Sequence, residues 1–255
     1  MRIVSLVPSL TELVCELGLA GELVGRTGFC VHPKEAVRRI PKVGGTKTVN
    51  LERIRALEPT HVVLNVDENR RETAEELAKF VPNLLVTHPL APLDNLALYR
   101  KFGSAFGRER EAEALCTRFR AAYDEALAAT RPVRRVLYLI WKDPWMTVSR
   151  DTYISRTLAL FGLLTLPASA ADRYPKLADL RTEAAELILL SSEPYRFRER
   201  HVAEVAGLTG KPALLVDGEM TSWYGPRAIA GLAYLREFAA RIPTPGSPGN
   251  PIAIY

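Results

Sequence analysis

Apolar residues recur at three- and four-residue spacing along residues 108–130: Ala112, Leu115, Cys116, Phe119, Ala122, Tyr123, Ala126 and Leu127. Glu109, Glu113, Thr117, Arg120 and Asp124 fall largely on the opposite side. That pattern predicts one amphipathic helix, roughly 34 Å long at the usual rise per residue. No proline or glycine interrupts it; Gly107 precedes it and Arg131-Pro132 ends it. Its role is either that of an ordinary surface helix or of a rigid strut, because alternating strand and helix signals lie on both sides.

Upstream, residues 3–7 form an apolar run suited to a buried strand, closed by Pro8. Ser9 to Glu12 reads as a capping box opening a helix with Leu13, Val14 and Leu17 on its apolar face. Strands are expected at 23–27, 61–65 and 84–87, and helices at 51–58 (capped by Asn50), through Phe80 with Asp67-Glu68-Asn69 leading in, and at 93–106. Downstream, strands are expected at 136–140, 187–190 and 213–216. Helices are expected at 153–161, 182–185, 197–206 and 226–242, the last with proline in its first turn. Residues 217–224 read as a loop, and the proline-rich stretch 243–255 as extended coil. The order predicts an α/β fold of two lobes with mainly parallel sheets, joined by one long helix, with a cleft between them. The divisions are 1–92, the connecting helices 93–131, and 132–255.

Composition narrows the function only modestly. The 255 residues are 47% hydrophobic and 25% charged, with a formal net charge of +5 and no block of like charge. Nucleic-acid binding is not indicated. Cys15, Cys30 and Cys116 form no CxxC pair, which argues against a disulfide framework and suits a reducing compartment. No apolar run approaches a membrane span. The expected setting is cytoplasmic if Met1 is the native start, and periplasmic if a leader has been removed.

His32, His61, His88 and His201 show no metal-hydrolase spacing, and no GxSxG elbow is present. Gly44 to Thr48 lacks the phosphate-loop frame and reads as a tight turn. Trp141, Trp145 and Trp223, with Tyr224, all fall just past the ends of expected strands. Loops in that position border the ligand crevice of an open α/β sheet, where aromatics offer broad apolar contact.

The stretches RIVSLVPSLTELVCELGL, KVGGTKTVNLERIRALEPTHVVLN, WKDPWMTVSRDTYISRTLALFG and GEMTSWYGPRAIAGL resemble the helical-backbone substrate-binding proteins of ABC importers. The likeness is greatest to the cobalamin-binding branch, beside those for haem and ferric siderophores. It implies a monomeric, non-enzymatic receptor with no catalytic residues, no intrinsic cofactor and an ABC permease as partner. The ligand would be a cobalt corrinoid or an iron chelate. By position the resemblance lines the cleft with Phe29, His32, Thr46, Lys47, Thr48, Asn65, Val66, Trp141, Trp145, Tyr174, Trp223 and Tyr224. His32 stands where B12 receptors carry tyrosine, and a histidine there can approach a ligand-borne metal. Glu68, Glu72 and Glu219 are the acidic residues offered for permease docking. The alternatives from other classes are an enzyme acting on a metal cofactor, for which no base and nucleophile pair is found, and a cytoplasmic carrier of the same fold.

Overall fold

A computed structural model describes residues 1–128, 131–168, 172–180 and 183–242. The first lobe runs β1 (Ile3–Ser5), α1 (Pro8–Glu16), β2 (Leu23–Arg26), α2 (Lys34–Val37), α3 (Leu51–Ala56), β3 (His61–Asn65), α4 (Arg71–Leu77) and β4 (Asn83–Thr87). Its strands are all parallel, in the order β2-β1-β3-β4. Next come α5 (Asp94–Phe106) and the long α6 (Glu109–Leu127), with left-handed Gly107 at the corner between them. The second lobe runs β5 (Arg134–Trp141), β6 (Met146–Thr147), α7 (Tyr153–Ala159), β7 (Leu163–Leu166), β8 (Leu187–Ser191), α8 (Glu199–Thr209), β9 (Ala213–Val216), α9 (Gly218–Ser222) and α10 (Arg227–Arg241). Parallel β8 takes one edge of β5 and pairs in turn with β9. The other edge is shared by parallel β7 along Arg134–Leu137 and antiparallel β6 along Leu139–Trp141.

Strand alternation divides the apolar side chains between two faces. Ile3 and Val63 in the first sheet, and Val136, Tyr138 and Leu189 in the second, join one core with α1, α5, α6 and α10. Leu13, Tyr99, Phe102, Phe119 and Leu235 run through its middle, so the lobes share a continuous apolar seam. The opposite faces form smaller clusters, Val4, Val62 and Leu64 with Ile54 and Leu77, and Leu137, Leu139, Ile188 and Leu190 with Phe197 and Val205. The strut reading of α6 is thereby given substance: its apolar stripe lies in the core common to both lobes.

Several local expectations are corrected. The capping box at Ser9 to Glu12 is not made; α1 begins at Pro8 with Val7 as an uncapped N-cap. Proline tolerates that position because its missing N–H has no helical partner there, and Glu12 is turned toward the second lobe instead. Residues 67–69 lead into α4 as expected, the helix starting at Arg71; the Asn65 carboxamide oxygen accepts from Asp67 N (2.8 Å) and Glu68 N (3.3 Å) and holds a turn before it. Strands β6 and β7 were not anticipated, since two- and four-residue runs carry little periodic signal. Instead of a loop over 217–224 there is the short helix α9, capped by Asp217 onto Met220 N at 3.2 Å. Of the helix expected at 182–185, Glu183 and Ala184 form a turn, and residue 182 lies outside the described residues. The final residues of the long-helix expectation, 129–130, and the tail 243–255 also lie outside them.

Candidate ligand cleft between the lobes

The loops leaving the carboxyl ends of β2, β3 and β4, together with α1, meet Arg173 and Tyr174, downstream of β7, and the segment that follows β9, and the contact is polar. Tyr224 Oη donates to Glu68 Oε1 at 2.7 Å. Tyr174 Oη donates to Asp67 Oδ2 at 3.2 Å, and Arg173 Nη1 to Asp67 Oδ1 at 2.5 Å. His88 lies beside the same pair, its Nε2 at 2.9 Å from Arg173 Nη1. Arg227 grips Glu12 with two bonds of 3.0 and 2.7 Å and also reaches Glu219 at 3.1 Å. His32 Nε2 lies 3.3 Å from the same carboxylate oxygen, Oε2. These contacts form the floor of the cleft.

Beneath the floor, Gly225 locks the two halves together. Its N–H donates to Asn95 Oδ1 (2.6 Å) and its carbonyl accepts from Tyr99 Oη (2.8 Å), both on α5. Its φ of +83° and the approach of Ser9 O to within 3.3 Å of where a Cβ would sit both require glycine. The Gly44 to Thr48 segment is the tight turn expected: at Gly44 φ is +115° and a Cβ would meet Thr48 O at 2.5 Å. Asn69 holds that turn through Thr46 O (3.0 Å), and Lys47 Nζ donates to Asp67 O (2.6 Å).

Above the floor the walls are apolar. Phe29 is 62% exposed, Val66 53% and Trp141 40%. Trp141 meets Tyr195 edge-on with centroids 5.7 Å apart, Tyr195 tilts against Phe197 at 4.8 Å, and Phe197 stacks on Trp145 at 6.2 Å. Lys142 lies 5.4 Å above the Trp145 ring. An aromatic ladder therefore runs up the second lobe and ends in an open indole at Trp141.

The expected site residues thus divide into kinds. Phe29, Val66 and Trp141 present open apolar surface, with Lys47 and Thr48 exposed beside them and Thr46 and Trp145 partly covered. His32, Tyr174 and Tyr224 belong to the polar floor. Asn65 is buried, and its carboxamide is consumed by the turn it caps and by Thr87. Trp223 is only 8% exposed: its Nε1 donates to Glu193 Oε1 at 2.6 Å, and the Arg227 guanidinium covers its ring at 4.8 Å. The open plate expected at Trp223 is not there, because the α9 turn swings the indole inward. Of the three acids expected to face a permease, Glu68 and Glu219 are engaged inside the cleft, and Glu72 is exposed in the first turn of α4.

Tyr195, Glu193 and Arg227 were missed. Tyr195 carries the same signal as the tryptophans, an aromatic just past a strand end, and the rule applied to SSEPYRF would have found it. Glu193 and Arg227 carry no sequence signal, because their roles arise from contacts between distant segments. Burial pushes the Glu68 carboxyl up to about 7, opposed by the Tyr224 hydrogen bond and aided by the negative charge of Glu193 and Asp67. Burial likewise raises Glu193, against the bonds from Ser222 and Trp223. Among the described residues no group of three or more His, Cys, Asp or Glu is placed to hold a metal ion, and no helix is long and apolar enough to cross a membrane.

Two α/β lobes on a helical spine, with a cleft of aromatic walls and a polar floor, define a solute-binding protein. Residues 3–184 match the periplasmic binding protein family, and the chain belongs to it; it is a binding protein and not an enzyme. It is similar to the vitamin B12-binding protein of Pectobacterium atrosepticum, 26% identical over 240 residues, covering 89% of this chain and 84% of that one. It is also similar to the vitamin B12-binding protein of Photorhabdus laumondii, 27% identical over 199 residues, covering 75% and 70%. The fold matches the periplasmic heme-binding protein RhuT from Roseiflexus sp. RS-1 at a TM-score of 0.77, with 22% identity and coverage of 93% and 98%. It matches the periplasmic vitamin B12-binding protein BtuF of Vibrio cholerae at 0.74, with 17% identity and coverage of 94% and 98%.

Proposed function

We propose that the cleft binds a cobalamin-like corrinoid or a related metal chelate, and that the protein is the substrate-binding component of an ABC importer. The observation that carries this reading is the aromatic ladder ending in the exposed Trp141 at the carboxyl end of β5, with Phe29 and Val66 exposed just past the carboxyl ends of β2 and β3. A broad, flat apolar ligand covers such surface with little loss of side-chain entropy, since the ladder already holds the rings in place. The B12-binding relatives support a corrinoid as the ligand, and the family supports a periplasmic setting with a permease partner. Glu72 remains the acidic residue open to that partner.

The test is a titration of the protein with cobalamin, cobinamide, ferric haem and a ferric siderophore, followed by tryptophan fluorescence and calorimetry. Saturable binding of a corrinoid at one site, quenching the indole signal, is the expected result. Binding of none of the four would overturn the reading; preference for haem or siderophore would retain the receptor and replace its ligand. Fractionation of the native host tests the compartment, with recovery in the periplasmic extract expected.

A further inference from the structure

The aromatic ladder of the second lobe rests on His201, in the first turn of α8. Of the four histidines it alone is buried, with 3% of its surface exposed. Its ring meets Tyr195 edge-on with centroids 5.7 Å apart and Phe197 edge-on at 5.5 Å, closing a triangle with two rungs of the ladder. Nδ1 accepts from Arg198 N–H at 2.8 Å and so caps the helix. A neutral imidazole that accepts at Nδ1 carries its proton on Nε2, and here Nε2 lies 3.5 Å from Tyr195 Oη. Helix α8 holds the ladder at a second point, where Glu204 pairs with Lys142, the residue above the Trp145 ring. Tyr195 in turn is the rung against which Trp141 rests.

These contacts suit one protonation state. The charged and titratable groups facing the imidazole are Arg198, Arg200 and Glu204 of its own helix, Lys142 from the turn after β5, and Tyr195 from the loop after β8. Arg200 Nε lies 3.4 Å from Nε2. Burial, then Arg200 and Lys142, hold the imidazole below its ordinary value of 6.5, with Glu204 opposing. An imidazolium would turn an Nδ1–H against the Arg198 N–H and set a second cation beside Arg200. Resting on the reading that Trp141 is a ligand contact, we infer that neutral His201 is the positioning residue of the ladder: it fixes Tyr195 and Phe197, and through Tyr195 it sets Trp141 for the ligand. The ladder is therefore set at neutral and alkaline pH. As pH falls below the ordinary histidine value the ring charges, gives up Arg198 and withdraws, and Trp141 loosens. Affinity for a flat ligand falls with it, because binding must then re-order the aromatics it covers.

Trp141 can be read with and without ligand. In protein carrying nitrogen-15 tryptophan, its indole resonance is assigned by its loss in Trp141→Phe. Its heteronuclear NOE should be that of an ordered group at about pH 7.5 and markedly lower at about pH 5. His201→Gln, which can still accept from Arg198 N–H but lacks the ring, should give the lower value at both. His201→Phe, which keeps a ring against Tyr195 and Phe197 and cannot charge, should give the ordered value at both. Calorimetric titration with cyanocobalamin should follow the same pattern. Binding to His201→Gln at neutral pH, and to wild type at acid pH, should be roughly three- to tenfold weaker, the cost of re-ordering one or two side chains; His201→Phe should show no acid loss. An ordered Trp141 in His201→Gln overturns the inference, as does acid loosening that persists in His201→Phe. Unchanged affinity while Trp141 loosens also overturns it, since the indole would then be no ligand contact. Should His201→Gln fail to fold, the pH profiles of wild type and His201→Phe decide alone. If wild type binds no cyanocobalamin, the corrinoid reading fails, and the positioning role stands or falls on the resonances.

Discussion

Two tryptophans of the cleft should respond to truncation in opposite ways. Trp223 is 8% exposed, donates to Glu193 and lies beneath Arg227, so Trp223→Ala removes packed volume and leaves a partly buried carboxyl without its indole donor. Trp→Ala at such positions costs about 3–5 kcal/mol. At about 2–4 °C per kcal/mol for a chain near this size, the melting temperature should fall by about 6–20 °C. Trp223→Phe, which keeps most of the volume but loses the bond to Glu193, should cost about 1–3 kcal/mol. Trp141 is 40% exposed at the top of the ladder. Of an indole's roughly 250 Å², about 100 Å² is then open to a ligand, worth about 2.5 kcal/mol at 25 cal/mol per Å². Trp141→Ala should therefore weaken ligand binding by roughly fiftyfold, with a melting temperature close to wild type. Thermal melts and calorimetric titrations of the three variants decide the matter. A Trp223→Ala protein with unchanged melting temperature and strongly reduced affinity would refute the reasoning, because the indole would then act as an open plate.

Three further outcomes are expected. Glu68 has a folded pKa near 7 against an ordinary value of 4.5, so the folded state binds its proton more tightly between those limits. The stability it contributes is fully present below the unfolded value and is lost as pH rises through 7, on the order of 3 kcal/mol. Glu68→Gln, which can still accept from Tyr224, should raise the melting temperature at pH 8 and change it little at pH 4.5; the same increment at both values would contradict the assignment. Gly225→Ala should destabilise by more than about 1 kcal/mol in denaturant melts, since alanine is strained at positive φ and Ser9 O crowds its methyl. The unbroken α6, the shared core and the Glu12–Arg227 pair should limit lobe rotation on ligand binding, because bending the helix would break several backbone hydrogen bonds. Scattering profiles with and without ligand should nearly superimpose, and a marked compaction would count against this.

What the chain declares by itself is what depends on local pattern. The stripe from Ala112 to Leu127 specified α6, and the short apolar-rich runs at 61–65 and 213–216 specified β3 and β9 to the residue, because a largely buried parallel strand reads as an apolar run. Glycine and proline marked most of the element ends for the same reason, since their constraints act within one or two residues. Placing aromatics after strands was enough to find Trp141, and the same rule covers Tyr195. Tertiary structure decided which of these side chains stay open. Trp141 and Trp223 carry the same local signal, yet Glu193 and Arg227 hold Trp223 covered while Trp141 stays exposed at the end of β5. Glu12 satisfies a capping motif in the sequence but is taken by Arg227, 215 positions away. A charged group pairs with the counter-charge that folding brings within a few ångströms, and that distance is a property of lobe packing, which spacing along the chain does not encode.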